Sequence, residues 1–417
     1  MFRRTLFSVC LFLSPLILSP LSALALPTTA QSAPKEEVVR IGVSGPFSGG
    51  SAPMGESMRN GIRLATLEIN QVGGINGKRI ELIERDDQAN NETGGKIARE
   101  FVQLKVAATI GIVNTGVGMA SIDAYQQAKI PLMVAVSTGP ALTKKFAPPA
   151  ANDNYIFRVA PTLDMEAKVL VAHLKRANIS VIAIMADSTA YGDAGMKALK
   201  AECEAQQIRV DYEGRFNLGE QDMSAQIRQG KSSAAKALVA WGIGPELAVL
   251  ARSKQQLGWK VPLMGSWTIS MRTFIDGAAK TGEGALTTQT FIQDFGSIGK
   301  NAFLYSYKHA YNTDFIASPM SAAQGYDGMH LLANAMRLAG SLDGSKIKYA
   351  LENLTVRHEG AITNYFRPFS SRDHDAMTQN MILLGKISEG RVVFASTRDE
   401  KRSALGLRKE KSEQKVE

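Results

Sequence analysis

The stretch from Val38 to Asp87 constrains the fold most. It reads VVRIGVSGPFSGG, then a helical segment, then GGINGKRIELIERDD. A β-branched run ends in Gly45-Pro46, with Ser48, Gly49 and Gly50 close behind. That pattern predicts a strand entering a loop where the backbone turns sharply and leaves its N–H groups open. Met58, Ile62, Ala65, Ile69 and Val72 then recur at spacings of 4, 3, 4 and 3, which makes one apolar helical stripe. Gly73-Gly74 stops that helix, and a second strand, Arg79–Arg85, ends in Asp86-Asp87. Strand, loop, helix and strand form one βαβ unit. A parallel sheet follows from it, with a ligand-ready loop at the carboxyl end of the first strand. An ordinary α/β domain without a ligand contains the same unit, and the unit alone does not separate the two.

The alternation continues along the chain. Strands are expected at 38–44, 79–85, 107–113, 130–136, 180–186, 208–216, 236–242, 261–266 and 284–291. Helices are expected near 54–71, 92–105, 119–128, 164–178, 191–207, 222–233 and 245–257. Three successive helical stretches follow, 299–313, 319–340 and 344–353, and strands return near 361–366 and 379–396. An α/β run of this length predicts two doubly wound sheets rather than one. The polar, Pro-rich stretch Ala147–Tyr155 reads as a loop. No internal repeat is clear.

The first residues read as a secretion signal. Arg3 and Arg4 precede the apolar core Leu6–Leu24, which Pro15 and Pro20 interrupt, and Ala23-Leu24-Ala25 fits a small-x-small cleavage site. A membrane anchor needs roughly 20 unbroken apolar residues. Cleavage at Ala25 leaves 417 − 25 = 392 residues, enough for two or three domains, and residues 26–37 read as a linker. A hydrophobic content of 45% supports real cores. Only Cys203 remains after cleavage, so no internal disulfide forms, and its mid-helix place marks it as inert. The net charge of +9 falls to +7 without Arg3 and Arg4. No basic cluster interleaves with aromatics, so no nucleic-acid partner is expected. The segment 397–417 carries seven basic and five acidic residues with no lasting period, and reads as a largely disordered tail.

Enzyme motifs are weak. Gly116-x-Gly118 opens like a dinucleotide loop, but Ser121 stands at the third glycine. Gly299-Lys300 lacks the rest of a phosphate loop, and no G-x-S-x-G elbow occurs. The five histidines, at 173, 309, 330, 358 and 374, have no metal-ligand spacing. No cofactor and no metal are expected.

Two loops carry hydroxyls at strand ends. Asn114-Thr115-Gly116 precedes a helix expected near Gly118, and Val136-Ser137-Thr138-Gly139-Pro140 has Pro140 in place for a first helical turn. Each threonine suits a plain helix cap. Each also suits an anion, and the two together favour a site where hydroxyls and amides hold one carboxylate.

Gly45-Pro46-x-Ser48-Gly49, Gly73-Gly74-Ile75-x-Gly77-Lys78 and Asp86-Asp87 together resemble the opening of the periplasmic leucine/isoleucine/valine-binding protein family. These are the solute receptors of branched-chain-amino-acid-type ABC importers. The resemblance runs from about Val38 to about Ser396. It implies a type I periplasmic binding protein: two Rossmann-like lobes joined by three crossings, near 158–162, 287–290 and 375–381. The N-terminal lobe would comprise 38–160 and 289–377, and the C-terminal lobe 161–288 and 378–396. It implies that Thr115, Val136 and Thr138 hold a ligand carboxylate, and that Tyr191, Ile243, Trp267 and Tyr326 wall the cleft. Family members often bridge two loops by a disulfide; Ala89 and Asn114 stand at about those places here.

One departure bears on the ligand. Trp267 stands in the loop where amino-acid receptors carry an acid, and Glu246 matches a position usually outside the pocket. An unpaired ammonium buried in a closed cleft is very costly, and the sequence offers no evident replacement for the missing acid. The expectation is therefore an apolar or aromatic carboxylate first and a branched-chain amino acid next. The receptor would be a periplasmic monomer that closes on this ligand and serves an inner-membrane ABC permease. The alternatives are an exported α/β enzyme on a small organic acid, or a ligand sensor for a membrane receptor.

Overall fold

The computed structural model describes residues 37–294, 296–404 and 407–409. The expected signal at 1–25 and nearly all of the linker lie outside the described residues. So do 405–406 and 410–417 of the expected tail.

The first sheet is built from β1 (Val38–Gly45), β2 (Arg79–Asp86), β3 (Ala108–Gly111), β4 (Leu132–Val134) and β5 (Ile156–Arg158). The crossovers hold α1 (Ala52–Gln71), α2 (Asn91–Gln103), α3 (Thr115–Ala128) and α4 (Ala141–Lys144). Every pairing is parallel, in the order β2-β1-β3-β4-β5. Helix α5 (Leu163–Arg176) leads into a second sheet. Its parallel part alternates β6 (Val181–Asp187), α6 (Ala190–Ala205), β7 (Arg209–Phe216), α7 (Ser224–Ser232), β8 (Leu238–Trp241), α8 (Glu246–Gln256), β9 (Leu263–Gly265), α9 (Arg272–Ala278) and β10 (Leu286–Gln289). Here the order is β7-β6-β8-β9-β10, the same winding as the first sheet. The two expected doubly wound sheets are present.

The strands form where they do because they are buried on both faces. Ile182, Ala183, Ile184, Met185 and Ala186 are all fully covered, as a parallel sheet between helical layers requires. Helices start at side-chain caps: Asn90 Oδ1 accepts from the Thr93 N–H, Thr162 from Met165, and Thr189 from Tyr191 and Gly192.

After β10 the chain returns to the first sheet. Helices α10 (Ile298–Tyr311), α11 (Pro319–Ala339) and α12 (Gly344–Glu352) pack on that side. The α1–α11 contact is made through glycines. A Cβ on Gly61 would sit 2.0 Å from the Ala322 carbonyl oxygen, and one on Gly325 would sit 2.4 Å from that of Met58. The strands expected near 361–366 form a small hairpin, β11 (His358–Glu359) with β12 (Asn364–Tyr365). The segment 379–396 starts with a 3-10 turn. It continues as β13 (Leu383–Ser388) and β14 (Arg391–Phe394), added antiparallel to the edge of the second sheet.

Two expectations are corrected. Helix α3 begins at Thr115, not near Gly118. The segment 397–404 is ordered as helix α13 (Thr397–Ala404) against β13, and residues 407–409 also make contacts. Asp399 Oδ1 accepts the Leu384 N–H at 3.1 Å, and Lys409 Nζ donates to the carbonyls of Pro368 (2.7 Å) and Asp375 (2.5 Å). These are charged side chains satisfying backbone groups, which a reading by apolar periodicity does not detect.

Candidate functional site

In each sheet the winding reverses beside one strand: between β1 and β3 in the first, between β6 and β8 in the second. Loops leaving strands at such a reversal diverge and leave a crevice. Both crevices open into one cleft of about 770 Å³. Ser51, Asn90, Asn114 and Thr115 line it from the first sheet; Thr189, Tyr191, Ile243 and Glu246 line it from the second. The two walls nearly touch at the mouth, where a Cβ on Gly50 would lie 3.8 Å from Pro245 Cδ.

The paired aspartates shape the first wall. Asp86 accepts from the Phe47 N–H (2.8 Å) and the Ser48 hydroxyl (2.6 Å), and Asp87 accepts from the Ser44 hydroxyl and the Ala89 N–H. They tie the loop after β1 to the loop after β2. Burial pushes the Asp87 carboxyl up to about 6. Asp187 does the same for the second wall: it accepts from Thr189 and, at 2.9 Å, from the Ile243 N–H. Burial raises its carboxyl as well. The glycines after β1 and the acids after β2 are thus scaffold for the loops.

Of the residues expected at the site, Thr115, Tyr191 and Ile243 line this cleft. Thr115 is the first residue of α3, whose N-cap residue Asn114 offers no side-chain cap. Its hydroxyl lies 3.0 Å from that of Ser137. Val136 and Thr138 are buried behind it, and the Thr138 hydroxyl has no hydrogen-bond partner. Trp267 opens a 3-10 turn after β9; it is buried and its indole Nε1 is also unpartnered. Tyr326 does not join the others. It lies on α11, donates to Glu68 Oε2 at 2.6 Å and packs on Phe303 and His330. The expected single wall of Tyr191, Ile243, Trp267 and Tyr326 is therefore not assembled, because Tyr326 faces α1. Cys203 is buried, and its thiol is pushed up to about 12.

Two further acids bear on the site: Glu246, expected outside the pocket, and Glu166, which the sequence did not single out. Glu246 lines the cleft mouth; its Oε1 accepts the Gly219 N–H at 2.6 Å and its Oε2 has no partner. Glu166, in the first turn of α5, lies directly against Trp267. Its Oε2 accepts the Trp267 N–H (3.1 Å) and the Thr288 hydroxyl (2.5 Å), while Oε1 is buried without a partner. Glu166 thus stands beside Trp267, brought there from another element. In sequence, Glu166 reads as an ordinary helix N-terminal charge, and only the tertiary fold brings it to β9. Among the described residues no group of three or more His, Cys, Asp or Glu is placed to hold a metal ion, and no helix is long and apolar enough to cross a membrane.

Two doubly wound sheets whose winding reversals face one cleft define a type I periplasmic binding architecture. The sequence pattern of the family described as periplasmic binding protein matches residues 38–390, and the chain belongs to this family. A leucine-, isoleucine-, valine-, threonine- and alanine-binding protein of Pseudomonas aeruginosa is 26% identical over 356 residues, 82% of this chain and 92% of its own. A crystal structure of a type 1 periplasmic binding protein from Bordetella pertussis Tohama I superposes with a TM-score of 0.77 at 27% identity, covering 86% of this chain and 99% of that one. A solute-binding protein of an ABC transporter from R. palustris, solved with 4-hydroxybenzoate, shares the fold at a TM-score of 0.75 and 20% identity, covering 86% and 96%.

Proposed function

We propose that the mature protein is a periplasmic receptor of a branched-chain-amino-acid-type ABC importer. It closes on a small carboxylate with an apolar body and delivers it, as a monomer, to an inner-membrane permease. The observation that carries this reading is the buried polar lining of the two walls. The unbonded hydroxyl of Thr138 and the uncapped start of α3 at Thr115 belong to one ligand-binding architecture. Buried polar atoms are normally satisfied, and a carboxylate accepts from hydroxyls and helix-start amides alike. Val136 lies beside Thr138 and gives its own N–H to the Ile112 carbonyl at 3.3 Å, which fixes this loop. Ile243 and Trp267 supply apolar surface for the body of the ligand.

The lobes of this reading are 38–160 with 289–377 and 161–288 with 378–396, and they turn about the crossings near 158–162, 287–290 and 375–381. The ligand leaves unchanged, as transport requires. Similar proteins support this ligand range: the Pseudomonas protein is named for leucine, isoleucine, valine, threonine and alanine, and the R. palustris protein was solved with 4-hydroxybenzoate.

Titration calorimetry of the mature protein against leucine, isoleucine, valine, benzoate, 4-hydroxybenzoate and 4-methyl-2-oxopentanoate tests the reading. Saturable one-to-one binding of at least one compound, recovered intact, is expected. Chemical conversion of the bound compound would contradict it.

A further inference from the structure

A second cavity, of about 400 Å³, opens away from the cleft, between α5, the 3-10 turn at 379–381, β13 and α13. None of its residues lines the cleft. Three guanidiniums face it: Arg176 from the last turn of α5, and Arg398 and Arg402 from α13. Arg176 has an ordinary local reason, since a cation suits the carboxyl end of a helix. Arg398 has none. It stands in the first turn of α13, where the helix dipole disfavours a positive charge. It also shares a face with Arg402, four residues on, and like charges at that spacing work against a helix.

The cavity holds one acid, and that acid is already engaged. Asp399 Oδ1 accepts the Leu384 N–H at 3.1 Å, Oδ2 accepts the Ser396 hydroxyl at 2.5 Å, and Arg402 Nη1 lies 3.6 Å from Oδ1. Arg402 also gives Nη2 to the carbonyls of Asn380 (2.7 Å) and Ile382 (3.2 Å). Arg176 and Arg398 make no hydrogen bond or ion pair with any described residue. Each presents five N–H donors in a planar fork. The three charges act on one another. Burial first, then Arg398 and Arg176, push the Arg402 guanidinium down against the pull of Asp399. Burial and Arg176 likewise lower His173, one turn earlier on α5. Val169, Ala172 and Leu384 give the cavity an apolar floor, which strengthens charge interactions above it.

We propose that this cavity is a second ligand site, in which a phosphate-type oxyanion is held between Arg176 and Arg398, with Arg402 fixed beside them. A carboxylate presents one edge and satisfies one fork. A phosphoryl group carries oxygens on several sides and serves forks from two facing elements. Such an anion ties α13 to α5, beside the crossing proposed near 375–381. The phosphoryl group comes either from a free phosphate compound or from a phospholipid headgroup. The site is separate from the cleft and does not depend on what the cleft binds.

Titration calorimetry of inorganic phosphate and pyrophosphate into the purified protein at low salt tests the soluble source. Sedimentation with phosphatidylglycerol vesicles, against phosphatidylcholine vesicles, tests the lipid source. Saturable binding is expected in at least one assay, and the assay that shows it names the source. Arg176→Gln and Arg398→Gln are each expected to weaken it by at least about tenfold, the scale of a hydrogen bond between charged groups. Arg398→Lys keeps the charge without the fork and should fall between Arg398→Gln and wild type. Arg228→Gln removes the same charge from an exposed place on α7, and Thr115→Val alters the cleft; both should stay within about twofold of wild type. No saturable binding in either assay would overturn the proposal. So would equal losses from Arg228→Gln and the two cavity variants, which would show a diffuse charge effect. If Arg398→Gln loosens α13 in thermal melts, Arg176→Gln must still weaken the anion alone, and wild-type binding by that variant would overturn the proposal too.

Discussion

Single polar atoms without partners are where this molecule departs from a well-satisfied interior, and they make its function testable residue by residue. The Thr138 hydroxyl is buried and unbonded, so Thr138→Val removes nothing that holds the empty protein together. Its unfolding midpoint should stay at or above the wild-type value while ligand affinity falls roughly 10- to 150-fold; calorimetry and thermal melting together check this. Thr115→Val differs, because its hydroxyl also meets Ser137. It should weaken binding and cost about 1 kcal/mol of stability as well.

Glu166 adds a pH dependence. Burial pushes its carboxyl from the ordinary 4.5 up to about 7. Between those pH values the folded protein binds more protons there than the unfolded chain, so its contribution to stability falls as pH rises from about 4.5 to about 7 and is flat above. The groups that face it are the Thr288 hydroxyl, the Trp267 amide and the neutral Tyr191 phenol. The full loss is on the order of 3 kcal/mol. In denaturant titrations of the ligand-free protein, Glu166→Gln should therefore gain stability over wild type at pH 8 and gain little at pH 5. Equal differences at both pH values would show that Glu166 keeps an ordinary carboxyl.

At the scale of elements, a buried ion pair ties β5 to the segment that follows β12. Arg158, at the end of β5, is fully buried and reaches Asp375 Oδ1 at 2.7 Å, the Gly139 carbonyl at 2.7 Å and the Thr143 hydroxyl at 3.0 Å. Residues 158 and 375 begin two of the three expected crossings. Asp375→Ala leaves the guanidinium buried without its counter-charge, which typically costs 3–5 kcal/mol. A wild-type-like unfolding free energy for that variant would show that the pair is dispensable.

The same scale separates what was legible in the sequence from what was not. The βαβ alternation was legible because parallel strands buried on both faces are continuous apolar runs, and the helices between them carry a 3.6-residue stripe. The loops after β1, β3, β6 and β8 were legible because glycine, proline and threonine mark strand ends. Glu166 was not, since a carboxylate in a first helical turn has a sufficient local explanation and its contact with Trp267 spans 101 residues. Tyr326 misled for the matching reason: helical periodicity does not say which neighbour an aromatic residue faces, and α11 turns it toward Glu68 on α1. The ordered start of the tail was illegible because Asp399 and Lys409 dock through backbone groups rather than an apolar face.

For the whole molecule, the decisive property is that two similarly wound sheets share one cleft. The described structure brings Gly50 and Pro245 to near contact across the mouth, so a ligand inside would be enclosed by both walls. A ligand that bridges both walls stabilises the closed arrangement over an open one by its contacts to the far wall. Small-angle scattering of the purified protein, with and without a saturating amount of the compound that calorimetry identifies, measures this directly. The account predicts a smaller radius of gyration in the bound state; indistinguishable scattering curves at proven saturation would contradict closure on a ligand between the two sheets.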